Sequence, residues 1–116
     1  MTDLAICLSM QKGAFEHVKH VIEDVDWQNI FVFTTEDTSI KFNKKTEIIK
    51  LDNTKTISQL SDFIKEKLSG KLNDLEVAVN IVAGQGKEHT ALISAILKLG
   101  FGLRLVALTP NGVKVI

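Results

Sequence analysis

The sequence predicts an α/β fold built on a mostly parallel sheet, and three observations carry that expectation. Compact apolar runs alternate with helical patterns along the whole chain. The runs are near-continuous rather than strictly alternating, as suits parallel strands covered on both faces. Near the C-terminus a Pro-Asn-Gly turn joins the last strand to a short antiparallel return strand.

The elements follow in order. "LAICLSM" (4–10), "IFVF" (30–33), "VAVNIV" (77–82) and "LRLVAL" (103–108) are the buried-strand runs, while the more polar "EIIKL" (47–51) suits a sheet edge. Helices are predicted over 14–25, where Phe15, Val18, Ile22 and Val25 form one stripe, and over 57–68, with Ile57, Leu60, Ile64 and Leu68. Thr56 and Gln59 have capping-box spacing, and Gly70 lies just past that helix. A third helix, 88–99, stops at Gly100. From 35 to 46 there is barely enough chain for a parallel crossover. That segment is either one short helical turn or, through "SIKF" (39–42), an extra strand.

Right-handed crossovers then give a three-layer α/β/α sandwich, residues 1–116 forming one domain, with strand order 3-2-1-4-5-6. The order reverses between strands 4–10 and 77–82, and open α/β sheets bind ligands at such a switch point. Two loops meet there, "MQKG" (10–13) and "AGQGK" (83–87).

Composition narrows the partners. Of 116 residues 45% are hydrophobic and 24% charged, with 14 basic side chains against 14 acidic. A balanced charge with a single arginine, Arg104, argues against long nucleic acid as a partner. No apolar run approaches a membrane span of roughly 20 residues. Asp3 stands where a signal peptide would be basic, and the lone Cys7 falls in a strand-like run, so a cytoplasmic protein is expected.

The loop "NIVAGQGKEH" (80–89) fails the established phosphate motifs. A Walker loop would need glycine at Ile81 and Ser or Thr at Glu88, and a dinucleotide fingerprint would need glycine at His89. That argues against nicotinamide chemistry, although Glu36 stands suitably after the second strand. The underlying physics still applies. Gly84 and Gly86 permit positive φ, the next helix offers free N–H groups, and Lys87 adds charge, with Lys12 and Gly13 across the switch point. A plain strand-to-helix turn would also account for both glycines.

Element order and loop together resemble the CARF family, the ligand-sensing Rossmann-fold domains of CRISPR-associated proteins. Its loop after the fourth strand typically reads Asn or Asp, any residue, then Thr-Gly-Gly-Thr-Lys. Here Asn80 and Gly84 match, Val82, Ala83 and Gln85 differ, and Lys87 falls one position late. "TALISAILKLGFGLRLVAL" (90–108) and the terminal hairpin follow the family pattern. The resemblance implies a Rossmann-like sheet and a cyclic oligoadenylate ligand held across a homodimer axis. It places Gly84, Gln85, Gly86 and Lys87 against phosphates or base edges, with Ser9, Gln11 and Lys12 facing them. His89 opens the following helix beside the glycines and joins this set as a bond to phosphate or adenine, or as a plain helix-start residue. With no effector segment after Ile116, a stand-alone sensor, a ring-cleaving enzyme or a degenerate relative is expected.

Three further features bear on function. The third helix is apolar nearly all round, and a small sheet covers one side, so a homodimer through 88–99 is expected. His17 and His20 have a metal-like spacing but no third ligand nearby, and read as solvated. Ser9 lacks a nucleophile elbow, so no catalytic residue is assigned and no metal or cofactor is implied. Three functions remain: a nucleotide-sensing module, a metal-independent phosphodiesterase opening the same ring, and a scaffold with a vestigial pocket.

Overall fold

The computed structural model describes residues 2–36 and 39–116. In chain order these form β1 (Asp3–Cys7), α1 (Ala14–Glu23), β2 (Ile30–Thr34), β3 (Glu47–Lys50), α2 (Ile57–Leu68), β4 (Glu76–Asn80), α3 (Gly86–Lys98), β5 (Gly102–Thr109) and β6 (Gly112–Val115). The sheet runs β3-β2-β1-β4-β5-β6, the predicted order. All pairs are parallel except β5 with β6. β1 is central: Leu4 pairs with Ile30 on one side and with Ala78 on the other.

The alternation of side chains along β1 divides the core. Leu4, Ile6 and Leu8 pack with Val18, Val21 and Ile22 of α1, while Ala5 and Cys7 pack toward α2 and α3. Strand order accounts for this placement. The connections β1–β2 and β2–β3 step toward one sheet edge, and β3–β4 and β4–β5 step the other way. Crossovers of one hand therefore lie on opposite faces.

The described parts of the 35–46 crossover, 35–36 and 39–46, form neither the helical turn nor the extra strand that the sequence allowed; Asp37 and Thr38 lie outside the described residues. Its place in the layer is set by two apolar anchors. Ile40 and Phe42 pack onto the α1-side core, and the Phe42 ring stacks on Phe15 with centroids 6.0 Å apart. Glu23 accepts the Asn43 N–H, and the Lys44 ammonium donates to the Val25 carbonyl. A helix is unnecessary where side chains from 14 to 25 already supply the covering surface.

Local signals placed both ends of α2, whereas α1 stops at Glu23 rather than at 25 and α3 begins at Gly86 rather than at 88. The Thr56 hydroxyl accepts from Gln59 N–H at 3.1 Å and the Gln59 side chain accepts from Thr56 N–H at 3.0 Å. Gly70 and Gly100 take positive φ after α2 and α3. Trp27 packs on the α1-side core and donates from Nε1 to Val21 O. The expectation that the sheet covers only one side of α3 needs correction, because α2 covers a second flank. Ser61 donates to Ser94 and Lys98 faces Asp62 across that contact. What stays outward on α3 is narrower: Thr90, Ile93 and Leu97, the last 56% exposed.

Candidate functional site

The β1–α1 loop leaves the sheet at its switch point. Leu8 N–H still bonds Phe33 O, after which Ser9 Oγ accepts the Gln11 N–H at 3.1 Å. Gly13, at φ 84°, then turns the chain into α1. Glu36, just past β2, accepts the Met10 N–H at 2.6 Å and so ties this loop to the neighbouring strand.

Opposite it, the β4–α3 loop is held by its own side chains. Gln85 caps α3, and its side chain accepts the Glu88 N–H. The Glu88 carboxylate returns to Gln85 N–H at 3.3 Å. This second capping box went unrecognised in the sequence because glutamine is an uncommon N-cap, although the Gln-x-x-Glu spacing was present. His89 Nε2 lies 2.7 Å from the Ala83 carbonyl. A carbonyl only accepts, so Nε2 carries the proton and donates.

The two glycines differ. Gly84 has φ 92°, and a Cβ there would stand 2.5 Å from Glu88 Oε2 and 3.3 Å from His89 Nε2. Gly86, expected to share that freedom, is instead the first residue of α3 with open space around it. The anion at this helix N-terminus is the chain's own. Glu88 lies where the positive dipole end would otherwise attract an external phosphate.

Between the loops lies a cleft of about 140 Å³. Ser9, Gln11, Gly84 and Gln85, all named from the sequence, line it together with Leu8, Thr35, Glu36 and Glu88. Four other candidates do not line it. Lys12 is exposed, Gly86 sits in the helix, and His89 is turned to Ala83. The Lys87 ammonium reaches the other way, to the Asn53 carbonyl at 2.7 Å, because position 87 lies on the α2 side of the helix. Among the described residues the lining therefore carries two carboxylates and no basic side chain.

At the end of β4, Asn80 is fully buried. Its Nδ2 donates to Val106 O at 2.8 Å and lies 3.0 Å from His17 Nε2. Both are donor directions of one NH₂, so the His17 Nε2 accepts and its proton sits on Nδ1. Asn80 Oδ1 has no partner among the described residues. The pairing of His17 with His20 on one solvated face is corrected accordingly: His17 turns inward, and His20 bonds Asp24 at 2.9 Å. Burial, and secondly His20, lower the His17 pKa. Cys7 is no nucleophile here, since burial and then the Glu88 charge push its thiol up to about 12.

A larger groove of about 530 Å³ runs beside α2, lined by Leu60 and Phe63 among charged side chains. It lies along α2 and the end of β3, at the edge of the sheet rather than between β1 and β4 where the strand order reverses. Among the described residues no three His, Cys, Asp or Glu side chains gather as a metal site, and no helix is long and apolar enough to cross a membrane. Comparison with protein-family models, curated proteins and solved structures finds no match for this chain.

Proposed function

We propose that this chain is a nucleotide-binding sensor module whose ligand, a cyclic oligoadenylate by the resemblance of its loops and element order, docks at the β1–β4 switch point of a homodimer. The observation that carries this reading is the cleft itself. Two loops converge on a small polar cavity at the place where a sheet of this order presents its binding crevice.

Size favours a shared site. The cleft of about 140 Å³ is well under the roughly 300–1,000 Å³ that encloses a whole small ligand, so it takes one part of a nucleotide. A symmetric ring supplies identical parts to two clefts related by a two-fold axis. The outward strip of α3, with Ile93 and half-exposed Leu97, begins beside the cleft and is the face through which two copies meet.

The test is calorimetry with cyclic tri-, tetra- and hexa-adenylate, combined with recovery of each ligand. One ring bound per two chains, returned intact, supports the sensor. Linear products in the recovered ligand turn the reading toward a phosphodiesterase. No binding by any ring removes it and leaves a protein partner as the object of search.

A further inference from the structure

We propose that the outer edge of β3 docks an extended, acidic segment of a partner protein, which joins the sheet as a seventh strand. No residue of β3 lines the switch-point cleft, so the two surfaces are separate.

Among the described strands β3 pairs with β2 alone. Leu51 N–H bonds Thr34 O at 2.7 Å, in the register that sets Thr34 beside Lys50. Successive residues of a strand turn their backbone groups to opposite sides. Glu47, Ile49 and Leu51 therefore face β2, while Ile48 and Lys50 present N–H and C=O outward. An incoming strand meets donors and acceptors already in place. Its side chains would alternate between the two faces of the sheet, and each face carries a groove. On the α1 side, about 390 Å³ lies between β3 and the 39–46 crossover, with Lys41, Phe42 and Ile48 in its walls. The other groove is the one of about 530 Å³ along α2, with Lys50, Leu60 and Phe63 in its walls.

Charge selects the occupant. From 41 to 50 the chain carries Lys41, Lys44, Lys45 and Lys50 against Glu47 alone. Glu47 is itself paired with Lys71 at 3.0 Å, and Lys44 is turned to Val25 O. Lys41, Lys45 and Lys50 are exposed along the edge. Among the described residues no carboxylate lines the α1-side groove, so acidic side chains suit that face. Asp52, Asp62 and Glu66 line the α2-side groove, where apolar side chains suit Leu60 and Phe63 instead. The matching strand alternates acidic with apolar residues. A second copy fits poorly, because β3 set against β3 brings the same lysines together.

The probe is an acetylated heptapeptide alternating glutamate with valine, compared with one alternating lysine with valine. Each is titrated into the full chain while amide hydrogen exchange is followed residue by residue. At ten times its Kd the acidic peptide should slow exchange at the Ile48 and Lys50 amides by about tenfold, and the basic peptide should leave both unchanged. N-methylation of the acidic peptide at every second residue should abolish this protection in one of the two alternate frames only, since one side of a strand faces the edge. The exposed pair Lys41→Glu with Lys50→Glu, its fold checked by circular dichroism, should weaken the acidic peptide by about tenfold or more. Absence of protection by either peptide overturns the proposal. So does acidic-peptide binding that is indifferent to N-methylation in both frames, which would be charge attraction without strand addition. Protection that grows with protein concentration alone overturns it in favour of a second copy.

Discussion

Gly84 and Glu88 are fitted to one another: a methyl group on Gly84 would stand 2.5 Å from Glu88 Oε2, where that carboxylate caps α3. The glycine therefore serves an internal contact in addition to its φ of 92°. Gly84→Ala should lower stability by about 1–3 kcal/mol through backbone strain alone, and more where the displaced carboxylate loses Gln85 N–H. Gly86→Ala, with open space and helical backbone, should raise stability by about 0.5–1 kcal/mol. Urea titrations of the two variants check this. Equal effects would mean that the glycines are interchangeable turn residues.

The partial burial of His17 makes stability depend on pH. Burial and His20 hold His17 below its usual 6.5, so the folded protein takes up that proton less readily than the unfolded chain. The stability is fully present above about pH 6.5 and declines as pH falls below it, until folded His17 itself titrates. Comparing wild type with His17→Gln across pH 5 to 8 isolates the effect, and the variant should lose part of the slope. Nitrogen chemical shifts should report the Nδ1-protonated tautomer at neutral pH.

Cys7 should be silent toward thiol reagents in the native state. Its pKa, pushed up to about 12, and its complete burial leave almost no thiolate at pH 8. Labelling should appear only with denaturant and track global unfolding. Rapid labelling of folded protein would show that the β1–α3 packing opens locally.

The two lysines flanking the glycine loop and the β1 loop should separate. Lys87→Ala loses a bond to Asn53 O and should cost up to about 1 kcal/mol of stability with ligand affinity nearly unchanged. Lys12→Ala should leave stability alone but weaken nucleotide binding and flatten its salt dependence. Calorimetry at two salt concentrations, beside thermal melts, distinguishes these results from the converse assignment.

Leu97 lies outward on α3 at 56% exposure, so Leu97→Glu should disrupt a dimer formed there with little effect on the fold. Light scattering at micromolar concentration checks this. A wild-type monomer under those conditions would remove the homodimer from the proposed function.

What the sequence determined by itself was what depends on neighbours along the chain. Near-continuous apolar runs marked the parallel strands, and their succession with three helices dictated strand order through the handedness of crossovers. Thr56 with Gln59, and Gly70 after α2, ended a helix by contacts within three or four residues. Ser9, Gln11, Gly84 and Gln85 were legible because topology brings strand C-termini together at the switch point. What only the tertiary structure decided were the directions of side chains between distant segments. His17 meets Asn80 across 63 residues and Met10 meets Glu36 across 26. Lys87 turns to Asn53 because α2 packs on that flank of α3, and the same packing narrows the helix's outward apolar face. Spacing along a chain sets which residues share a face of one element. Which neighbour that face meets depends on how the elements pack, and here that packing put carboxylates into a cleft where the sequence suggested cations.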